Sequence, residues 1–90
     1  MLIREHANGF VTANGKFTIH VCGQERADGT WEGWIEFLPP DSKHPVLSTE
    51  QETSQPNRNA LEYWADGLEP IYFEGAFARA QGRLPQARAC

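Results

Sequence analysis

The sequence predicts an α+β domain: an antiparallel sheet in the element order β-β-β-β-α-β, its first strand short, with one helix packed on one face. Three observations carry this expectation. Residues 30–38 alternate with a period of two; glycine-bearing turns at Asn14-Gly15 and Ala27-Asp28-Gly29 join alternating runs; and Leu61, Trp64, Ala65 and Leu68 recur at helical spacing.

The first turn lies between residues 10–13 and 16–21. Asn-Gly between alternating runs favours a two-residue type I′ loop, because both loop positions need positive φ. That register pairs Ala13 with Lys16, Thr12 with Phe17 and Phe10 with Ile19, and it places Phe10, Phe17, Ile19 and Val21 on one face. The second turn is decided by the faces it would join. A two-residue Asp-Gly loop pairs Val21 with Glu36 and mixes apolar with acidic positions. A three-residue loop, with Gly29 left-handed in a G1 bulge, pairs Val21 with Ile35, Ile19 with Phe37 and Gly23 with Gly33. The same register sets His20 opposite Glu36 and Cys22 opposite Trp34 on the other face.

Three prolines in residues 39–45 remove amide donors and make this stretch a surface loop. Residues 46–53 resume a weak alternation and read as a strand near an edge. Ser54 is positioned to cap the one helix expected, with Pro56 in its first turn; Gly67 closes it in a Schellman motif, and Pro70 confirms the stop. Residues 71–77 then read as the last strand, with Ile71, Phe73 and Phe77 inward. Residues 1–80 form a single domain in this reading, and residues 81–90, polar and proline-containing, form a flexible tail.

Composition narrows the function classes. Ninety residues with 40% hydrophobic content support one core. Residues 1–78 hold 5 Lys or Arg against 12 Asp or Glu, and an acidic body repels a phosphate backbone, which argues against a nucleic-acid partner. No stretch approaches the roughly 18 apolar residues of a membrane span, and the charged N-terminal residues Arg4 and Glu5 do not resemble a secretion signal. A cytoplasmic location is therefore expected, and with it Cys22 and Cys90 as free thiols.

The segments W-E-G-W-I-E-F (31–37), Q-E-T-S-Q-P-N-R (51–58) and L-E-Y-W-A-D-G-L-E-P-I-Y-F-E-G-A (61–76) resemble a group of short uncharacterised bacterial proteins. That resemblance implies a bacterial cytoplasmic domain and carries no function. A looser likeness is to HicB-type antitoxin domains, which often enter a strand through an aspartate-glycine-aromatic turn, similar to Asp28-Gly29-Thr30-Trp31. It implies an antitoxin with a toxin as partner.

No G-x-S-x-G, phosphate loop, H-E-x-x-H or C-x-x-C occurs, so no catalytic residue is assigned and no cofactor is expected. The leading expectation is a non-enzymatic interaction or regulatory domain. It would present the uncovered sheet face, with Trp34 and Tyr72 at the centre, Cys22 beside them and Glu32 and Glu36 at the rim, to a protein partner or to its own copy. The competing expectation is a small metal-binding protein or enzyme using His20, Cys22 and Glu36, since imidazole, thiolate and carboxylate are zinc ligands. The plainer alternative for His20 and Glu36 is a cross-strand contact worth about 0.2–1 kcal/mol.

Overall fold

A computed structural model describes residues 1–83 other than Asn14 and Ser42, together with Cys90. The elements are β1 (Leu2–Thr12), β2 (Gly15–Glu25), β3 (Trp31–Leu38), β4 (Leu47–Ser48), β5 (Thr53–Gln55), α1 (Arg58–Asp66) and α2 (Pro70–Gln81). One antiparallel sheet runs in the order β1-β2-β3-β4, and β5 also pairs with β3. Both helices pack on one face, so the α+β class and the helix-covered antiparallel sheet hold.

The β2–β3 register is the one that the three-residue turn requires. Val21 pairs with Ile35, Ile19 with Phe37, Cys22 with Trp34 and His20 with Glu36. Gly29 has φ +88°, Gly29 N–H donates to the Arg26 carbonyl at 3.0 Å, and Arg26 N–H donates to the Thr30 carbonyl at 2.7 Å. This is a three-residue loop closed by a bulge glycine.

The first hairpin is shifted by two residues from expectation. Phe10 pairs with Phe17 and Thr12 with Gly15. A slip of two preserves every side chain's face, so hydrophobic alternation could not tell the two registers apart. β1 also extends back to Leu2 across two register shifts, one of them between His6 and Phe10, where Gly9 adopts φ +67°. A Cβ on Gly9 would lie 2.5 Å from the Phe17 carbonyl oxygen, so the bulge demands glycine twice over.

Residues 46–53 do not form one strand. β4 pairs with β3 at Glu36 and Phe37, β5 pairs with it at residues 31–33, and the chain between is tied by Thr49 N–H to the Ile35 carbonyl and Glu52 N–H to the Gly33 carbonyl. Ser54 lies in β5, and the cap of α1 is Asn57, whose Oδ1 accepts from Ala60 N–H at 2.8 Å. Gly67 closes α1 at φ −87°, ψ −4°, in the right-handed region, so the left-handed Schellman ending is not formed.

The largest correction concerns residues 71–77, expected as a strand and found inside α2. Ile71, Phe73 and Phe77 satisfy a period of two, but Phe73, Ala76, Phe77 and Ala80 satisfy i, i+3, i+4, i+7, and these four are the buried residues of the helix. Pro70 starts this helix as well as marking the end of the previous one. Phe77 then sits among Phe10, Phe17 and Phe37, with ring centroids 4.8, 5.2 and 5.0 Å away. Each such pair adds about 0.5–1.5 kcal/mol beyond area burial, which fixes α2 over the centre of the sheet.

Candidate functional site

The residues expected on an open sheet face are not open. Trp34 is 1% exposed, Cys22 0% and Glu36 7%. They do lie on the side of the sheet away from the helical core, as the alternation requires, but Cys90 lies there too, in a disulfide with Cys22 across a Cα separation of 5.2 Å. Free thiols are therefore corrected to a bonded pair whose geometry fits a disulfide without backbone movement. The sequence reading missed it because 68 positions separate the two residues and nothing in the composition of the tail signals docking. Of the expected tail, residues 81–90, Gln81 ends α2, Arg83 Nη1 donates to the Ser48 carbonyl at 2.9 Å and Cys90 is bonded to Cys22, while residues 84–89 lie outside the described residues.

Trp34 Nε1–H donates to Glu36 Oε2 at 3.1 Å in this buried setting. His20, although paired with Glu36 through the backbone register, turns its Nε2 to Glu5 Oε1 at 2.8 Å. β1 supplies that carboxylate, and pairwise reasoning on β2 and β3 alone could not foresee it. The set His20, Cys22, Glu36 is thus not brought together; Cys22, Glu36 and Cys90 are, with ligand atoms all within 4.8 Å of one another. Glu32 is half-buried beside Ser54 in register.

Tyr72 leaves the sheet face altogether, because α2 carries it to the helical layer. Its hydroxyl donates to Glu52, whose carboxylate also accepts from Arg79, with Arg79 Nε 3.2 Å from Oε2. Burial, and then the hydrogen bond to the Glu52 carboxylate, raise the phenol well above its ordinary value. Arg79's own hydrogen bonds to Glu52 raise its guanidinium, whose Cζ lies 5.7 Å from the centroid of the Tyr72 ring. Tyr72 is thereby held edge-on to Trp64, with centroids 5.8 Å apart.

These two rings form one wall of a groove of about 560 Å³ lined by Gln55, Ala60, Tyr63, Trp64, Gly67, Leu68 and Tyr72. Tyr63 stands 83% exposed at its mouth, and Ile71, next to Tyr72 in the chain, is 75% exposed. Tyr63 was not singled out from sequence, and Ile71, expected inward on a strand, is turned outward because α2 replaces that strand. Both occupy non-stripe positions of their helices, where an aromatic or β-branched residue in place of a polar one is the only available signal. No helix is long and apolar enough to cross a membrane among the described residues. Compared with models of known families, with curated proteins and with solved structures, the chain matches none.

Proposed function

We propose that this chain is a non-enzymatic protein-interaction domain, that its contact surface is the groove between α1 and α2, and that its partner is a basic protein segment carrying an apolar or aromatic side chain. The observation that carries the reading is Tyr63, 83% exposed at the mouth of a groove walled by Trp64 and Tyr72. Exposed aromatics beside a concave apolar wall are the usual anchors of a contact, and Tyr and Trp supply much of its energy.

Charge selects the partner. Residues 60–74 contain Glu62, Asp66, Glu69 and Glu74 and no lysine or arginine. Arg4 engages Asp66 at 2.8 Å and Glu62 at 3.3 Å, while Glu69 and Glu74 are exposed and have no cationic partner among the described residues. A second copy would bring its own acidic body to this surface and be repelled. A segment with arginine or lysine gains both the carboxylates and the faces of the exposed rings.

The test is titration with a synthetic peptide holding three arginines around a phenylalanine, against the same peptide with glutamates, followed by amide shifts. Shifts confined to residues 55–74 with the basic peptide alone are expected. Tyr63→Ala should weaken that binding at least tenfold, about 1.4 kcal/mol, without moving the melting temperature. Equal response to both peptides, or self-association that Tyr63→Ala abolishes, would overturn the choice of partner.

A further inference from the structure

On the other face of the sheet, we infer that Cys22, Glu36 and Cys90 are a zinc site in the reduced protein, opened and closed by the Cys22–Cys90 disulfide. The three residues offer two sulfurs and a carboxylate oxygen, all within 4.8 Å of one another. A tetrahedral zinc with Zn–S of about 2.3 Å and Zn–O of about 2.0–2.2 Å sets its ligand atoms roughly 3.5–3.8 Å apart. The β2–β3 ladder fixes the backbone under Cys22 and Glu36, and once the disulfide is open, side-chain rotation would bring the ligand atoms to that spacing.

A second, independent observation points to a cation. Glu36 is 7% exposed, and its hydrogen bond is to the neutral indole of Trp34. His20, the nearest cationic candidate in register, is taken by Glu5. Among the described residues this desolvated carboxylate has no positive partner, which is costly, and a divalent ion between it and two thiolates removes that cost. Trp34 Nε1–H would keep the carboxylate oriented by holding Oε2, leaving the other oxygen as the ligand atom, the arrangement that tunes many metal sites.

The redox step is a thiol–disulfide exchange with an external dithiol. Its thiolate attacks the sulfur of Cys90, which is half-buried while Cys22 is fully buried. The S–S bond breaks, Cys22 leaves as thiolate, and the second thiol of the reductant resolves the mixed disulfide. The chain ends with two thiols and the reductant with one disulfide. Zinc then displaces two protons from the thiols, and water fills the fourth position.

The experiment titrates Zn²⁺ into the full chain, reduced or oxidised, against a chromogenic chelator, and repeats it with Co²⁺ to read thiolate-to-metal absorption. One equivalent bound below micromolar by the reduced chain, and none by the oxidised chain, is expected. Cys90→Ser, which leaves the buried Cys22 untouched, should weaken binding at least a hundredfold and remove one thiolate from the cobalt spectrum. Glu36→Gln should weaken it at least tenfold, and His20→Ala should leave it unchanged. Reduced protein that binds zinc no tighter than Cys90→Ser, or a His20→Ala loss equal to that of Glu36→Gln, would overturn the assignment.

Discussion

Gly29 holds φ +88°, and a Cβ built there meets no heavy atom within 4 Å, so the cost of replacing it is one of backbone conformation alone. Gly29→Val should lower stability by more than about 1 kcal/mol, read by urea denaturation, and a D-alanine at the same position should not. Its neighbour Asp28 has a different role. Its Oδ1 accepts from the Thr30 hydroxyl at 2.6 Å and from Thr30 N–H at 3.0 Å, and these bonds, the hydroxyl first, hold its carboxyl below the ordinary range. The stability it contributes is present above the unfolded-state value, near 3.8, and is lost as pH falls through the lower folded value. Thr30→Val should move the Asp28 titration, followed by carboxyl carbon shifts, back up toward that ordinary value. This turn was readable from sequence because its chemistry is local: loop length, one glycine and the parity of two flanking strands admit a single answer. Trp34 and Glu36 were readable only in part. Alternation assigns a side of the sheet, and burial depends on what a distant residue, Cys90, brings to that side.

At the scale of elements, the same limit appears in α2. A seven-residue window from Ile71 to Phe77 contains apolar residues at both strand and helix spacing, and only the continuation through Ala80 and Gln81 separates the two periods. The neglected signal was propensity, since Ala76, Ala78, Arg79, Ala80 and Gln81 are all strong helix formers and poor strand formers. The groove proposed as the contact surface depends on this element, because Tyr72 reaches Trp64 only from a helix. Gly75 tests it directly. A Cβ at Gly75 would meet Arg79 Nη1 at 3.2 Å, the guanidinium nitrogen that does not bond Glu52, so a shift of a few tenths of an ångström relieves it. In a helix interior, Gly75→Ala should therefore raise stability by about 0.5–1 kcal/mol, read from the melting transition. Unchanged or lowered stability would remove the helix, and with it the groove.

At the scale of the whole molecule, the sheet is covered by different means on its two faces. The helical face carries a continuous apolar core from Ile3 to Ala80, whereas the other face places Cys22, Trp34 and Glu36 under a covalent link to the last residue of the sequence. A core holds by burial and acts on the native state; a disulfide spanning 68 positions acts chiefly by restricting the unfolded chain. Loop-closure entropy for that span amounts to about 4.4 kcal/mol, with about 2–4 the usual yield. Cys90→Ser should therefore lower the free energy of unfolding by about 2–4 kcal/mol under oxidising conditions and by nothing under reducing ones, where the parent chain already lacks the link. Urea transitions of both chains, with and without dithiothreitol, make the comparison. Zinc added to the reduced parent should recover part of the loss by binding only the folded form, and it should recover none in Cys90→Ser. Identical transitions for the two chains under oxidising conditions would mean that the link is not made in solution.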